Sequence, residues 1–260
     1  AAIGSNLGVT DIMAVCKSAE MVNYLGLDSI SAGSALAWAM EMAEMGVITP
    51  EDLGGEELTF GRGADVLRWI EMIAYRKGFG DVLAEGATHA ARNIGKDSEK
   101  YVMAVKGVDL GMHDPRAMEN MRRQFAVAPV GGDHCGSAHK RNSLANTLGI
   151  CQFLDYDDDL KLELLNAATG WDMTPQELDD AYERGITMAR QFNIREGWTT
   201  ADDAMPWRIH QPMAMGPMSD QVLTEEQVRD ETEDYYEARG WDRATGLPQA
   251  DTVERLGLQA

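Results

Sequence analysis

The chain has 260 residues, of which 44% are apolar and 25% are charged. This length and this apolar content are enough for one large domain or two smaller packed ones, and they exclude a disordered chain. Acidic residues outnumber basic ones by 43 to 23, which gives a formal net charge of −20. Because such a charge repels phosphate backbones and anionic lipid surfaces, we expect no nucleic acid and no membrane among the partners.

The three cysteines, Cys16, Cys135 and Cys151, are too few and too widely spaced for a disulfide framework. The sequence has no run of 18 uncharged apolar residues, and its first 30 residues lack the basic start and the apolar run of a secretory signal. We therefore predict a cytoplasmic protein. The chain begins at Ala1 rather than at methionine, so we expect its N-terminus to be processed, trimmed or missing.

The first half of the chain is predicted to be helical, because apolar residues recur there at a spacing of three to four. The predicted helices cover about 11–24 with Thr10 as cap, about 32–45 with Ser31 as cap, a short segment after Thr49, about 63–76, and about 82–93.

An irregular region over 107–140, rich in glycine and proline, divides the chain near its middle. Beyond it, Thr174 and Thr224 each open a capping box, which predicts the start of a helix. Strand signals are nearly absent, so we predict an all-α, multihelical fold. Its two packed helical subdomains are expected to cover 1–130 and 131–260.

One short pattern occurs twice. Residues 23–28 read NYLGLD and residues 146–151 read NTLGIC, so both run from asparagine through leucine, glycine and an aliphatic residue to aspartate or cysteine. One interpretation is structural: each is the Schellman end of a helix, with the glycine left-handed and the aliphatic residue packed back on the helix. The other is functional: two equivalent helix ends present an amide, exposed backbone groups and a terminal ligand to the two halves of a pseudo-symmetric ligand.

Further stretches follow in order along the chain: RKGFGDVLAEG over 76–86, KG at 106–107, HDPR over 113–116, GGDH over 131–134, RQFNIREG over 190–197, DDAMP over 202–206, YY at 235–236, GWD over 240–242 and TGLP over 245–248. With these stretches and the doubled pattern, the chain resembles the aldehyde ferredoxin oxidoreductase family of tungsten- or molybdenum-pterin enzymes. That family binds its two pterins with a twice-used motif, Asp-x-x-Gly-Leu-(Asp or Cys). The resemblance extends along nearly the whole chain.

The resemblance implies the all-helical C-terminal part of such an enzyme, in which two helical domains lie behind a β-rich domain that forms a base for the pterins. That base and three cluster cysteines, in a Cys-x-x-Cys-x-x-x-Cys run, are missing from this sequence. The implied partner is therefore a missing N-terminal β-rich domain or a separate chain that carries it. The other partners that the resemblance implies are a ferredoxin or another electron carrier, a small aldehyde, and a second copy in a homodimer.

The resemblance also implies roles for single residues. The residues that would bind the pterins are Asn23, Gly26, Leu27 and Asp28 in the first motif and Asn146, Gly149 and Ile150 in the second. Cys151 would be the fourth thiolate of a 4Fe-4S cluster, a ligand that suits iron because it is soft and anionic. His134 would lie near the metal and donate to a developing oxyanion or move a proton, since an imidazole with a pKa of about 6.5 does either at neutral pH. Cys16 and Cys135 match no ligand and we interpret both as structural, although Cys135 beside His134 is also compatible with a place in the pocket.

Two features depart from the family pattern. The family usually opens both motifs with aspartate, whereas this chain has Asn23 and Asn146. An amide offers one acceptor and one donor group, so it requires another pterin edge, a bridging water or a contact weaker by roughly 1–2 kcal/mol. The segment between His134 and Cys151 is shorter than in the best-known members, which indicates a shortened substrate loop.

The implied function is oxidation of an aldehyde to a carboxylate at a tungsten or molybdenum centre held by two pterins, with electrons leaving through the 4Fe-4S cluster. We expect this chain alone to be inactive, because half of the site is missing from it. Two alternatives stay open: a non-catalytic helical protein that kept the family core for assembly or partner binding, and one subunit of a split enzyme.

Overall fold

The computed structural model of the protein describes residues 1–135, 140–154, 156–216 and 218–259, with the backbone alone described over 140–143. Within these ranges the α-helices are α1 (Ile12–Tyr24), α2 (Ser29–Glu44), α3 (Gly63–Ala74), α4 (Phe79–Leu83), α5 (Ala87–Ile94), α6 (Glu119–Val127), α7 (Lys140–Leu148), α8 (Asp158–Thr169), α9 (Pro175–Arg195), α10 (Glu225–Ala238) and α11 (Ala250–Arg255). The strands β1 (Ala104–Val105) and β2 (Val108–Asp109) form an antiparallel hairpin. The predicted all-α class is confirmed. None of the described helices is long and apolar enough to cross a membrane.

The chain divides into two compact units. The first comprises Ala1–Asp114 together with Pro206–Pro212, and the second comprises Pro115–Met205 together with Met213–Ala260. The division between Asp114 and Pro115 falls within the irregular middle region of the sequence. The subdomain boundary near residue 130 stays a prediction.

The core of the first unit is centred on α2, whose buried residues lie on nearly every side of the helix: Ala32, Gly33, Ser34, Ala35, Leu36, Trp38, Ala39, Met40 and Met42. Helices α1, α3, α4 and α5 pack around it. Trp69 of α3 is fully buried, meets the Phe79 ring edge-on with 6.4 Å between centroids, and donates its indole N–H to the Glu57 carbonyl at 2.8 Å. Because side chains pack against α2 on nearly every side, the position of this helix in the unit is fixed, and so is the position of its first turn.

The β-hairpin lies against α2. Lys106 and Gly107 form its two-residue turn, with φ of 52° and 77°. Two successive left-handed residues match a type I′ turn, in which glycine is favoured because it has no Cβ. Ala104 lies opposite Asp109, and β2 packs against α2. The turn therefore explains the KG stretch in the sequence and places Asp109 beside the helix.

A buried cluster of an arginine, an acid and aromatic rings stabilises the second unit. The Arg190 guanidinium lies 2.7 Å from the Asp203 carboxylate, and their side chains are 5% and 0% exposed. Arg190 Nε donates to the Gly246 carbonyl at 3.1 Å, and the Tyr236 and Trp241 rings lie 5.0 and 5.7 Å from its Cζ. Five of the stretches that carry the family resemblance thus meet in this interior, where they support the fold rather than form a ligand site.

The first two helices begin with a different cap from the one predicted. Helix α1 is capped by Asp11 rather than Thr10, since the Asp11 carboxylate accepts from the Met13 N–H at 2.9 Å. Helix α2 is capped by Asp28 rather than Ser31, since the Asp28 carboxylate accepts from the Ser31 N–H at 2.7 Å. In both places a carboxylate, rather than a nearby hydroxyl residue, is the N-cap. A charged acceptor is favoured there because the helix dipole also stabilises its negative charge.

Other predicted helices are confirmed or corrected. The capping boxes at Thr174 and Thr224 are both formed, and they open α9 and α10. The prediction of one helix over 82–93 is wrong, because Gly86 adopts φ of 84° and separates α4 from α5. The short segment after Thr49 is a hydrogen-bonded turn rather than a helix, and the irregular middle region contains β2 and α6.

Candidate cofactor-binding site

The first corner, at the end of α1, has Schellman geometry. Gly26 is left-handed with φ of 70°, and its N–H donates to the Asn23 carbonyl at 3.3 Å. The Leu27 N–H donates to the Val22 carbonyl at 2.9 Å, which closes the longer loop of the motif. The structural interpretation of the pattern is therefore correct for this helix.

The same corner leaves its polar groups outside. Asn23, Gly26 and Asp28 are exposed, whereas Leu27 is half-buried and packs against the core. A Cβ built on Gly26 would meet no atom within 4 Å. Asp28 uses Oδ1 to accept from the Ser31 N–H and thereby starts α2. The corner thus presents an amide, bare backbone and a carboxylate in succession.

The second corner, at the end of α7, repeats this geometry. Gly149 has φ of 69°, its N–H donates to the Asn146 carbonyl at 3.1 Å, and the Ile150 N–H donates to the Ala145 carbonyl at 3.0 Å. Asn146, Gly149 and Cys151 are exposed and Ile150 is half-buried. A Cβ on Gly149 likewise meets no atom within 4 Å. A free, exposed thiol at Cys151 replaces the carboxylate that ends the first corner.

The structural and functional interpretations of the doubled pattern are compatible. Schellman hydrogen bonds account for the glycine and for the aliphatic residue that follows it. They place no demand on the side chains at the two ends of the pattern, because the helix carbonyls are satisfied by backbone N–H groups. The exposed amides of Asn23 and Asn146, the Asp28 carboxylate and the Cys151 thiol are therefore the candidate binding groups.

A candidate catalytic loop lies in the same unit as the second corner. Asp133, His134 and Cys135 are half-buried, and a possible ligand atom of each lies within 4.8 Å of the others. The Asp133 carboxylate accepts from the Cys135 N–H at 2.8 Å, and the Asp133 carbonyl accepts from Gln124 Nε2 at 3.3 Å. Burial raises the pKa of the Cys135 thiol, the Asp133 charge raises it further, and a hydrogen bond with Gln152 lowers it. The loop and the second corner belong to the same compact unit.

The three cysteines have different surroundings. All three are free; Cys16 and Cys151 are exposed, and Cys135 is half-buried. Cys16 is exposed on α1 and therefore lies outside the core, and its interpretation as a structural residue stays a prediction. Cys135 lies in the His134 loop, as its sequence position allowed.

The structure brings together only part of the predicted site. His134 and the second corner lie in the second unit, and the first corner lies in the first unit. The substrate loop that we expect to be shortened includes residues 136–139, which lie outside the described residues.

Asp109 is a candidate site residue that the sequence did not reveal. It is 7% exposed, and its Oδ1 has no hydrogen-bond partner in the part of the chain that the structure describes. Burial raises the pKa of Asp109 to about 6, a hydrogen bond with Ser31 lowers it, and the charge of Asp28 raises it. The signal available in the sequence was an acid two residues after the Lys-Gly turn of a hairpin, but this hairpin was not predicted.

Comparison with known proteins identifies the family of the chain. A family model described as "Aldehyde ferredoxin oxidoreductase, domains 2 & 3" matches residues 1–258. The chain is 32% identical to the tungsten-containing aldehyde ferredoxin oxidoreductase of Pyrococcus furiosus, over 99% of this chain and 47% of that protein. It is 30% identical to the "Aliphatic sulfonate oxidoreductase, WOR-like subunit" of the same organism, over 98% of this chain and 44% of that protein. The chain thus spans about half the length of the curated relatives it matches.

A solved structure has a similar fold. The active site complex BamBC of benzoyl coenzyme A reductase, in complex with 1,5-dienoyl-CoA, superposes with a TM-score of 0.66 over 89% of this chain and 44% of that chain. At 22% identity this likeness concerns the fold alone. Because the family model covers nearly every residue, the chain belongs to the aldehyde ferredoxin oxidoreductase family and corresponds to its domains 2 and 3.

Proposed function

We propose that this chain is the C-terminal, cofactor-facing part of a tungsten- or molybdenum-pterin oxidoreductase, which oxidises an aldehyde to a carboxylate and passes the electrons through a 4Fe-4S cluster. The observation that carries the proposal is the pair of helix ends with one geometry. Each turns on a left-handed glycine, and each has exposed polar residues at its two ends. Fold alone does not specify a function, so the ligand is inferred from the family. The family's ligand has two similar halves, which matches a pair of similar helix ends.

The residues of both corners fit a pterin. Asn23 and Asn146 each offer one acceptor and one donor group, and Asp28 adds carboxylate acceptors. Open space at the missing Cβ of Gly26 and of Gly149 allows a flat ring to approach the backbone. These residues would bind and orient the two pterins.

The cluster site is incomplete within this chain. A 4Fe-4S cluster requires four thiolates, and Cys151 is the exposed thiol at the end of the second corner. We propose that the other three come from the remaining half of the protein, either as an N-terminal β-rich domain or as a separate chain. The separate chain is worth testing, because one relative is named as a subunit and one similar structure is named as a complex.

The reaction consumes one water and releases two electrons and three protons for each aldehyde oxidised to a carboxylate. When bound, the metal, pterins and cluster would supply the redox chemistry and carry the electrons away. His134 is the residue of this chain that would hold or move a proton at an imidazole nitrogen. Its half-buried position suits this role, because the imidazole is not sealed in the interior. A ferredoxin would accept the electrons, and a homodimer is the proposed assembly.

An aliphatic sulfonate is the second candidate substrate class. It is favoured by the 30% identity to the sulfonate oxidoreductase relative, whose match covers 98% of this chain, against 99% for the aldehyde enzyme of the same organism. The two classes differ in charge, so the substrate pocket must differ between them.

The test is elemental and kinetic analysis of the full-length protein, purified without oxygen. We expect tungsten or molybdenum, iron and releasable pterin, together with reduction of an electron acceptor when small aldehydes are added. Sulfonate-dependent reduction without an aldehyde response would replace the substrate class and keep the cofactors. Purified protein with neither metal nor pterin would overturn the proposal and favour a non-catalytic helical assembly. Co-purification of a chain with the three missing cysteines would identify a split enzyme.

A further inference from the structure

The loop after α6 brings three metal-ligating side chains together. Asp133, His134 and Cys135 are consecutive in the chain. One ligand atom of each lies within 4.8 Å of the others: a carboxylate oxygen, an imidazole nitrogen and a thiol sulfur. The proposed function uses the imidazole of His134 and gives no role to the carboxylate or the thiol. The cluster as a whole therefore requires a separate explanation.

Helix α6 anchors this loop from the interior of the second unit. Gln124 on α6 is 2% exposed, and its Nε2 donates to the Asp133 carbonyl at 3.3 Å. Gly131 and Gly132 are buried, and the Asp133 N–H donates to the Gly131 carbonyl at 2.6 Å. A buried polar side chain thus holds the backbone of the loop at Asp133. Metal sites depend on such support, because the groups around the ligands set their orientation and their affinity.

The hydrogen bonds of the loop leave Asp133 and Cys135 able to bind a cation. Asp133 uses Oδ1 to accept from the backbone N–H of Cys135 at 2.8 Å. We therefore assign Oδ2 and the Cys135 sulfur as ligand atoms. With zinc bonds of about 2.0–2.3 Å, tetrahedral ligand atoms lie about 3.5 Å apart, so shifts of about 1 Å close the cluster around an ion. Rotation about side-chain torsions provides such shifts without moving the backbone.

The chemistry of the three ligands selects the ion. A thiolate and an imidazole suit zinc, whereas magnesium and calcium prefer oxygen ligands alone. One carboxylate and one thiolate neutralise the two charges of a zinc ion, which suits a half-buried site. The thiol proton goes to the buffer when the ion binds. Three protein ligands leave the fourth tetrahedral position to a water.

We propose that Asp133, His134 and Cys135 form a zinc site, and that zinc bound there inhibits turnover. The zinc site depends on this loop alone, whereas the inhibition rests on the proposed function. An imidazole nitrogen that binds zinc has no lone pair left for a proton. Zinc therefore takes from His134 the proton transfer that turnover requires.

The experiment measures zinc binding and turnover separately, on full-length protein that is purified without oxygen and washed free of loosely bound metal. Zinc affinity is measured by competition with a chromogenic chelator in excess magnesium. Cobalt is added to parallel samples, because a bond between cobalt and a thiolate has its own charge-transfer absorption. The variants are Cys135→Ser and Asp133→Asn, each of which removes one ligand with little change of shape. Cys16→Ser is the matched control, because Cys16 is a free, exposed thiol in the other unit.

We expect wild type and Cys16→Ser to bind zinc with the same affinity in excess magnesium. Cys135→Ser and Asp133→Asn should each weaken zinc binding at least about tenfold, and Cys135→Ser should also lack the cobalt charge-transfer absorption. The turnover of each protein with zinc is divided by its own turnover without zinc. Zinc should lower this ratio in wild type and in Cys16→Ser, and the same zinc concentration should lower it much less in the two loop variants.

Zinc affinity that is unchanged in both loop variants, or that falls equally in Cys16→Ser, overturns the zinc site. Displacement of the wild-type zinc by magnesium also overturns it, because oxygen ligands alone would then hold the ion. If one loop variant does not fold, the other decides the outcome. Zinc bound at the loop without loss of turnover overturns the inhibition alone. Wild type that oxidises neither an aldehyde nor a sulfonate overturns the proposed function and the inhibition with it, and the affinities still decide the zinc site.

Discussion

Replacing Asp109 by asparagine should change how stability depends on pH. Burial is the largest cause that raises the pKa of Asp109 from 3.8 to about 6; the hydrogen bond with Ser31 opposes it, and the charge of Asp28 adds to it. A raised pKa means that the folded protein binds this proton more tightly than the unfolded chain does. The stabilising contribution of the protonated group is complete below pH 3.8 and is lost as the pH rises through about 6.

The magnitude follows from the difference between the two pKa values. About 2 pH units correspond to about 3 kcal/mol, at roughly 1.4 kcal/mol per unit. Solvent screens the Asp109 carboxylate little, because the residue is 7% exposed. Asparagine keeps the shape of aspartate and an acceptor for Ser31, but it has no proton to lose. We therefore expect Asp109→Asn to match wild type near pH 4 and to be more stable by up to about 3 kcal/mol above about pH 7.

The assay is thermal unfolding of both full-length proteins, without cofactor, at several pH values from about 4 to 8. For a protein of this size, the expected difference in Tm above pH 7 is about 6–12 °C. A difference that stays constant with pH refutes the reasoning, as does a wild-type protein that gains stability relative to the variant as the pH rises. The expected result also means that the ionised acid is kept at a cost in stability, which is common at binding sites.

Three further predictions concern the second unit. His134→Gln should lower turnover by about 10²–10⁴-fold with unchanged metal content, because proton transfer is lost; the same change at His89, which is exposed on α5, should leave turnover unchanged. Asp203→Asn should destabilise the protein by about 3–5 kcal/mol in urea unfolding, because Arg190 would keep its charge in the interior without a counter-charge. Gly149→Ala should cost about 1–2 kcal/mol in thermal unfolding, from its left-handed φ alone, since the added Cβ meets no atom within 4 Å.

Each of these predictions has a clear contrary result. Loss of metal together with activity in His134→Gln would make this histidine a structural residue of its loop. Near wild-type stability of Asp203→Asn would show that the remaining hydrogen bonds of Arg190 compensate for the lost charge. An unchanged melting temperature of Gly149→Ala would show that the second corner does not require a left-handed residue.

Local signals in the sequence predicted most of the fold. Helical periodicity and the capping boxes at Thr174 and Thr224 depend on neighbours within one turn, so they are visible without tertiary information. The hairpin was missed because strands of two residues are too short to show an alternating pattern. The break at Gly86 was missed because a single glycine is tolerated in many helices.

The candidate site divides in the same way. Both corners could be predicted, because a Schellman end is set by a glycine and its immediate neighbours. Asp109 could not, because its burial depends on packing between the hairpin and α2, which are far apart in the sequence. The cap of α2 could be predicted only in part. Asp28 and Ser31 are both common residue types at a helix start, so the sequence does not show which of them is the cap, and the structure shows that it is Asp28.

The most direct test of the proposed ligand role of the second corner compares cluster iron in full-length wild type, Cys151→Ser and Cys16→Ser. Both thiols are free and exposed, so the two substitutions are matched in chemistry and in accessibility. Wild type and Cys16→Ser should each hold about four irons per chain and show the spectrum of a reduced cluster, whereas Cys151→Ser should lose that iron and spectrum. Full cluster iron in Cys151→Ser, or equal loss in Cys16→Ser, would contradict a ligand role for the second corner.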